Sequence, residues 1–147
     1  MKYFCTLCFI LLACNSSREV QKLQEKRKDL TNYFRNELSI DLPGDGLIII
    51  LQNQNCSACR EDVFKDFVNK FLRENNMNKT FILAKQDTAL VNLIHQTPKN
   101  KIILGNSYTL KEYGLNYAAD LCFVFRKDNL EKYFEISNYQ LDQLKSL

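Results

Sequence analysis

The sequence of 147 residues has no tryptophan, a single histidine (His95), two prolines (Pro43 and Pro98) and four glycines. It also lacks an apolar run of membrane-spanning length: the longest, residues 3–12, falls well short of the roughly 20 residues that a helix needs to cross a bilayer. The net charge is only +3, the two signs are interspersed, and no basic patch is interleaved with aromatics, which argues against a nucleic-acid partner. With one histidine, a metal site would have to combine Cys56, Cys59, Cys122 and His95. Cys₃His is a legitimate zinc set, but only Cys56 and Cys59 are closely spaced, so neither a metal nor any other cofactor is expected. There is no internal repeat and no low-complexity segment. What is present, 46% apolar and 25% charged residues, is the make-up of one globular domain with a modest core.

The first residues stand apart. Lys2 precedes the apolar run 3–12, which ends in Leu11-Leu12-Ala13-Cys14, so residues 1–13 read as a signal peptide with a small residue at the cleavage site. The Leu-x-Ala-Cys pattern resembles the lipobox of bacterial lipoproteins. That resemblance implies that Cys14 is lipidated, becomes the first mature residue and anchors the chain by stable diacyl insertion. Asn15, where an Asp favours inner-membrane retention in some bacteria, points to the outer membrane of the cell envelope, facing the periplasm. The alternative is a plain secretory peptide or an uncleaved anchor. In each version the domain is exported.

Export changes the cysteine count. Cys5 and Cys8 leave with the signal and Cys14 carries lipid, so Cys56, Cys59 and Cys122 remain. Three are too few for a disulfide scaffold, while an oxidising compartment permits a Cys56–Cys59 disulfide.

Residues 14–43 comprise the lipidated cysteine, a short polar tether at Asn15-Ser16-Ser17 and a helix over 17–38. Val20, Leu23, Leu30, Phe34 and Leu38 form its stripe. Arg27 interrupts that stripe, which predicts docking on the domain's flank and argues against a coiled-coil dimer; a monomer is expected. Asp41-Leu42-Pro43-Gly44-Asp45-Gly46 is a turn cluster that opens the domain at 44–147. Strands are expected at 47–51, 79–84, 101–104, 121–125 and 131–136, the last two joined by a turn over 126–130. Helices are expected at 57–73, at 89–96, at 107–113 with Ser107 as cap and Gly114 as stop, and after Ser137 or Asn138. Strands alternating with helices, closed by a hairpin, predict an α/β fold with a mixed sheet covered on both faces.

Cys56-Ser57-Ala58-Cys59 falls where the first strand, through the polar elbow 52–55, feeds a helix. At i and i+3 on a helix start the two thiols lie close enough for a disulfide. Cys56 at the N-terminus gains from unpaired N–H groups and the helix dipole, so it is the expected nucleophile, with Cys59 one turn in to resolve the mixed disulfide. An inert short-loop disulfide or two buried thiols is the alternative. Cys122, in an apolar strand, reads as a small buried hydrophobe, and His95 as a helix-end or surface residue.

With its strand-elbow-helix context and the order β-α-β-α-hairpin-helix, this motif resembles the thioredoxin fold. The segment Ile102-Ile103-Leu104 … Leu110-Lys111-Glu112-Tyr113-Gly114-Leu115 … Leu121-Cys122-Phe123-Val124-Phe125 is similar to the second half of membrane-anchored, TlpA-like thioredoxins. The resemblance covers about residues 44–147 and implies a thiol–disulfide oxidoreductase in which Cys56 and Cys59 act on thiols or disulfides of exported proteins. Three departures stand out: Asn55 replaces the usual Trp before the first cysteine, residues 48–51 lack the family's buried acid, and Asp120 occupies the place of its cis-Pro. A carboxylate near Cys56 would oppose thiolate formation, so Asn55 and Asp120 are expected to modulate the site. The expectation is specialised redox activity, with a non-catalytic thioredoxin-like binding module holding a structural disulfide as the other reading.

Overall fold

Leu47-Ile48-Ile49-Ile50-Leu51 is apolar on every residue, so both its faces need cover, and such a strand belongs in the middle of a sheet. The computed structural model of the chain, which describes residues 3–52, 76–84, 91, 94, 99–117 and 119–136 (backbone alone for 3–16), puts it there. Strand β1 (Gly46–Leu51) is buried along its length, between β2 (Lys79–Leu83) and β4 (Leu121–Arg126). With β3 (Asn100–Leu104) and β5 (Asn129–Glu135) it forms one five-stranded sheet in the order β3-β2-β1-β4-β5. β1, β2 and β3 run parallel, while β4 runs antiparallel to β1 and β5 antiparallel to β4. The domain is therefore α/β with a mixed sheet.

Alternate residues along each strand feed two cores. Leu47, Ile49, Leu51, Phe81, Leu83, Cys122, Val124, Phe134 and Ile136 lie in one, joined by Ile94 and flanked by Val91. Val91 and Ile94 are both helical and fall in the expected helix 89–96. The rest of that helix, the expected helix 57–73 and the one after Ser137 lie outside the described residues. Ile48, Ile50, Ile82, Leu121, Phe123 and Phe125 face the other way.

That second face is covered by α1 (Tyr3–Asn36), and here two expectations change. The helix does not dock on a flank: Leu30, Tyr33 and Phe34 are fully buried on the sheet. Tyr33, outside the stripe read from the sequence, widens the buried face and meets Tyr113 edge-on with ring centroids 5.8 Å apart. Arg27 stays exposed, so it interrupts the stripe without breaking the contact. The expected tether at residues 15–17 is also helical. Asn and Ser cost only a few tenths of a kcal/mol each in a helix interior, and with no Gly or Pro there nothing stops propagation. Lys26 fastens the helix to the loop after α2 (Ser107–Glu112): its Nζ donates to Gly114 O and to Asp29 Oδ2, each at 3.0 Å, and lies 5.3 Å from the Tyr117 ring centroid.

Two local details also differ from the sequence reading. The cap of α2 is Asn106, not Ser107, its Oδ1 accepting from Tyr108 N at 2.8 Å; Gly114, at φ +64°, ends the turn as expected. The β4–β5 turn is tighter than 126–130. Lys127 and Asp128 alone make it, at φ +48° and +65°, the signature of a type I′ hairpin turn. Asp45 Oδ1 accepts from Lys127 N and Gly44 O from Asp128 N, both at 2.9 Å, which ties the turn to the segment that enters β1.

Candidate functional site

Asn55, Cys56 and Cys59 lie outside the described residues, so the site is defined by its frame at the C-terminal end of β1. Three residues separate Gln52 from Cys56, so four Cα–Cα steps give a reach of at most about 14 Å of extended chain. Around Gln52 the ends of β1 and β2, the start of β4 and the α2–β4 loop converge. Ala84 N donates to Leu51 O at 3.0 Å, continuing the parallel ladder one step past its last strand pair.

Asp120 sits directly before β4, buried to 9% exposure. Its Oδ1 accepts from Gln52 N at 2.7 Å, and its backbone O accepts from Ile136 N at 2.8 Å. One carboxylate oxygen thus closes the β1 ladder where a strand partner runs out. Among the described residues every peptide bond is trans. Removing the carboxylate would leave a buried N–H without a partner, which costs about 1–3 kcal/mol. Asp120→Ala should lower stability by about 2 kcal/mol in urea unfolding, and Asp120→Asn, which keeps an acceptor, by less than half of that. Equal losses would show that the carboxylate does not hold the strand end.

Gln52, read from the sequence as part of a polar elbow, is 4% exposed. Its Nε2 donates to Leu115 O at 2.8 Å, which pins the α2–β4 loop to the end of β1. Its Oε1 is buried with no hydrogen-bond partner among the described residues. The signal that could have found it is its place directly after an all-apolar strand.

Cys122 lies in β4, paired across the sheet with Ile49 and with Phe134, and is fully buried. Burial drives its thiol far above the ordinary range, with Lys132 pulling weakly the other way. Burial thus disfavours the thiolate that exchange chemistry needs. Cys122 is the small buried hydrophobe read from the sequence. Among the described residues no three His, Cys, Asp or Glu side chains come together as a metal site would require, and His95 lies outside them. Cys14 falls within α1, and no helix among the described residues is long and apolar enough to cross a membrane. Set against protein families, curated proteins and solved structures, the chain matches none of them.

Proposed function

We propose that the chain is an exported, lipid-anchored thiol–disulfide oxidoreductase of thioredoxin-like fold, acting through Cys56 and Cys59 on cysteines of exported proteins. The observation that carries this reading is the position of the Cys-x-x-Cys. It begins five residues after Leu51, which ends the central strand of a mixed sheet ordered β3-β2-β1-β4-β5 beside the head of an antiparallel β4.

In the reductive direction the Cys56 thiolate attacks one sulfur of a substrate disulfide. The substrate S–S bond breaks, a Cys56–substrate S–S bond forms, and the displaced sulfur leaves as thiolate and takes up a proton. Cys59, as thiolate, then attacks Cys56 Sγ; the substrate departs with both sulfurs reduced, and the Cys56–Cys59 disulfide carries away the two electrons' worth of oxidation. The same steps reversed oxidise a dithiol.

Asp120 favours a second reading. Its carboxylate serves the strand end, and the family's cis-Pro is missing from that position, as a binding module that keeps the fold and sheds catalysis would allow. One experiment separates the two. In a Cys59→Ser variant, Cys56 should accumulate mixed disulfides that a non-reducing gel resolves and mass spectrometry names. A variant that forms none, with a Cys56 inert to alkylation at neutral pH, sinks the enzyme and leaves the module.

A further inference from the structure

The sheet has two distinct ends. β1, β2 and β3 finish together at one of them, where β4 begins with Leu121 opposite Ile50 and the α2–β4 loop gives Leu115 O to Gln52. At the other end Gly44 and Asp45 bind the Lys127–Asp128 turn and the chain enters β1. α1 is fixed to the first end, since Lys26 holds Gly114 O in that same loop. Past Lys26 toward its C-terminus the helix lies over the sheet, burying Leu30, Tyr33 and Phe34, and the chain then reaches β1 from the opposite end. On the other side of Lys26 the helix continues without a break, and the side chains of residues 17–22 are exposed, Val20 at 52%. A continuous helix carries its direction with it. The N-terminal part of α1 therefore projects beyond the end of the sheet at which β1 finishes and the Cys56 elbow begins. At 1.5 Å per residue, Cys14 lies about 18 Å beyond Lys26 along the helix.

We propose that the bilayer holding lipidated Cys14 lies past this end of the sheet, so that the end of β1 from which the chain runs on to Cys56 faces the membrane surface, and that the substrates are cysteines on membrane-proximal chain segments rather than on folded domains free in solution. The proposal rests on the thiol–disulfide reading and the lipid anchor. The helical standoff of about 18 Å sets the size limit, because a folded domain of 100 residues has a radius of gyration of about 13 Å and a diameter well above the gap. A flexible tether would impose neither orientation nor limit; a helix clamped by Lys26 and buried through Phe34 imposes both.

The test uses the full lipidated chain in vesicles of phosphatidylethanolamine and phosphatidylglycerol, with Cys56→Ser and Cys59→Ser and a dye on a single introduced cysteine. Tyr108→Cys marks the end where β1 finishes, at a residue 79% exposed, and Asn129→Cys marks the hairpin end. The two differ in height by about the 20 Å length of a six-residue strand, so energy transfer to a headgroup acceptor should be about threefold or more greater from the first. A flexible Gly-Ser segment inserted between Ser17 and Arg18 should erase the difference. Equal transfer from both positions, the reverse order, or a difference that survives the insertion overturns the orientation. Separately, Cys59→Ser alone, in the same vesicles, should trap a vesicle-tethered cysteine peptide several-fold better than a soluble folded domain carrying the same cysteine. Equal trapping overturns the substrate class. A clear difference in energy transfer with no trapping of either overturns the oxidoreductase reading and leaves the orientation standing.

Discussion

Replacing Phe34 by alanine should destabilise the protein by about 4 kcal/mol, within the range for deleting a buried phenylalanine side chain. Phe34 is fully buried in the core between α1 and the sheet, its ring 6.2 Å from that of Tyr33, and its carbonyl accepts from Ile40 N at 3.1 Å where the helix ends. The loss has two parts: the transfer of the ring out of an apolar site, and a cavity in the core that Phe34 shares with Ile48, Ile50 and Phe123 of the sheet, which is too stiff to collapse around it. For a chain of this length each kcal/mol shifts the melting temperature by about 3 °C, so a fall of about 12 °C is expected. With no tryptophan to report, far-ultraviolet circular dichroism is the measurement. Val20→Ala on the exposed part of the same helix should change stability by less than about 0.5 kcal/mol. Comparable losses at the two positions would mean that α1 does not complete the core.

The second large effect is expected at Gly46→Ala, about 3 kcal/mol, from backbone strain and collision together. Gly46 opens β1 at φ +123°, where L side chains are rarely found, and a Cβ there would run into the backbone carbonyl of Asn78. That carbonyl accepts from Leu47 N at 2.8 Å and begins the β1–β2 ladder, so it cannot retreat without parting the two strands. Gly44 supplies the contrast. A Cβ at Gly44 would meet the end of the Asp128 side chain, which can swing aside, so Gly44→Ala should cost only about 1 kcal/mol. Urea midpoints of the two variants decide the matter, and a Gly46→Ala protein as stable as Gly44→Ala would refute the argument.

The central strand was legible because its residues leave no polar face: five consecutive apolar side chains fit only between two covered layers. The mixed sheet followed from strands that alternate with helices and then close in a hairpin. What was not legible turned on backbone geometry and on burial of polar groups. Lys127-Asp128 makes a two-residue turn without the glycine or asparagine that advertises one, because Asp45 and Gly44 hold both N–H groups from outside the hairpin. Asn106 outcompeted Ser107 as a cap because the strand before it delivers its backbone already extended, at φ −135° and ψ 131°. Tyr33 was missed since a tyrosine beside a stripe reads equally as rim or core. Of the candidate site, Asp120's place was readable from its position before Leu121. Its hydrogen bond to Gln52 N was not, because the two are joined only by the antiparallel pairing of β4 with β1.

Cys122 has a consequence for any chemistry that moves disulfides. A third sulfur in such a protein is a route to mispairing, yet this one sits mid-sheet between Ile49 and Phe134, with its thiol held protonated by burial. Thiol–disulfide exchange can reach it only when β4 parts from its neighbours, which makes mispairing wait on an opening of the core. The sheet acts as a kinetic quarantine. It also turns Cys122 into an internal clock: the rate at which a thiol reagent captures that sulfur counts the openings of the domain's own centre.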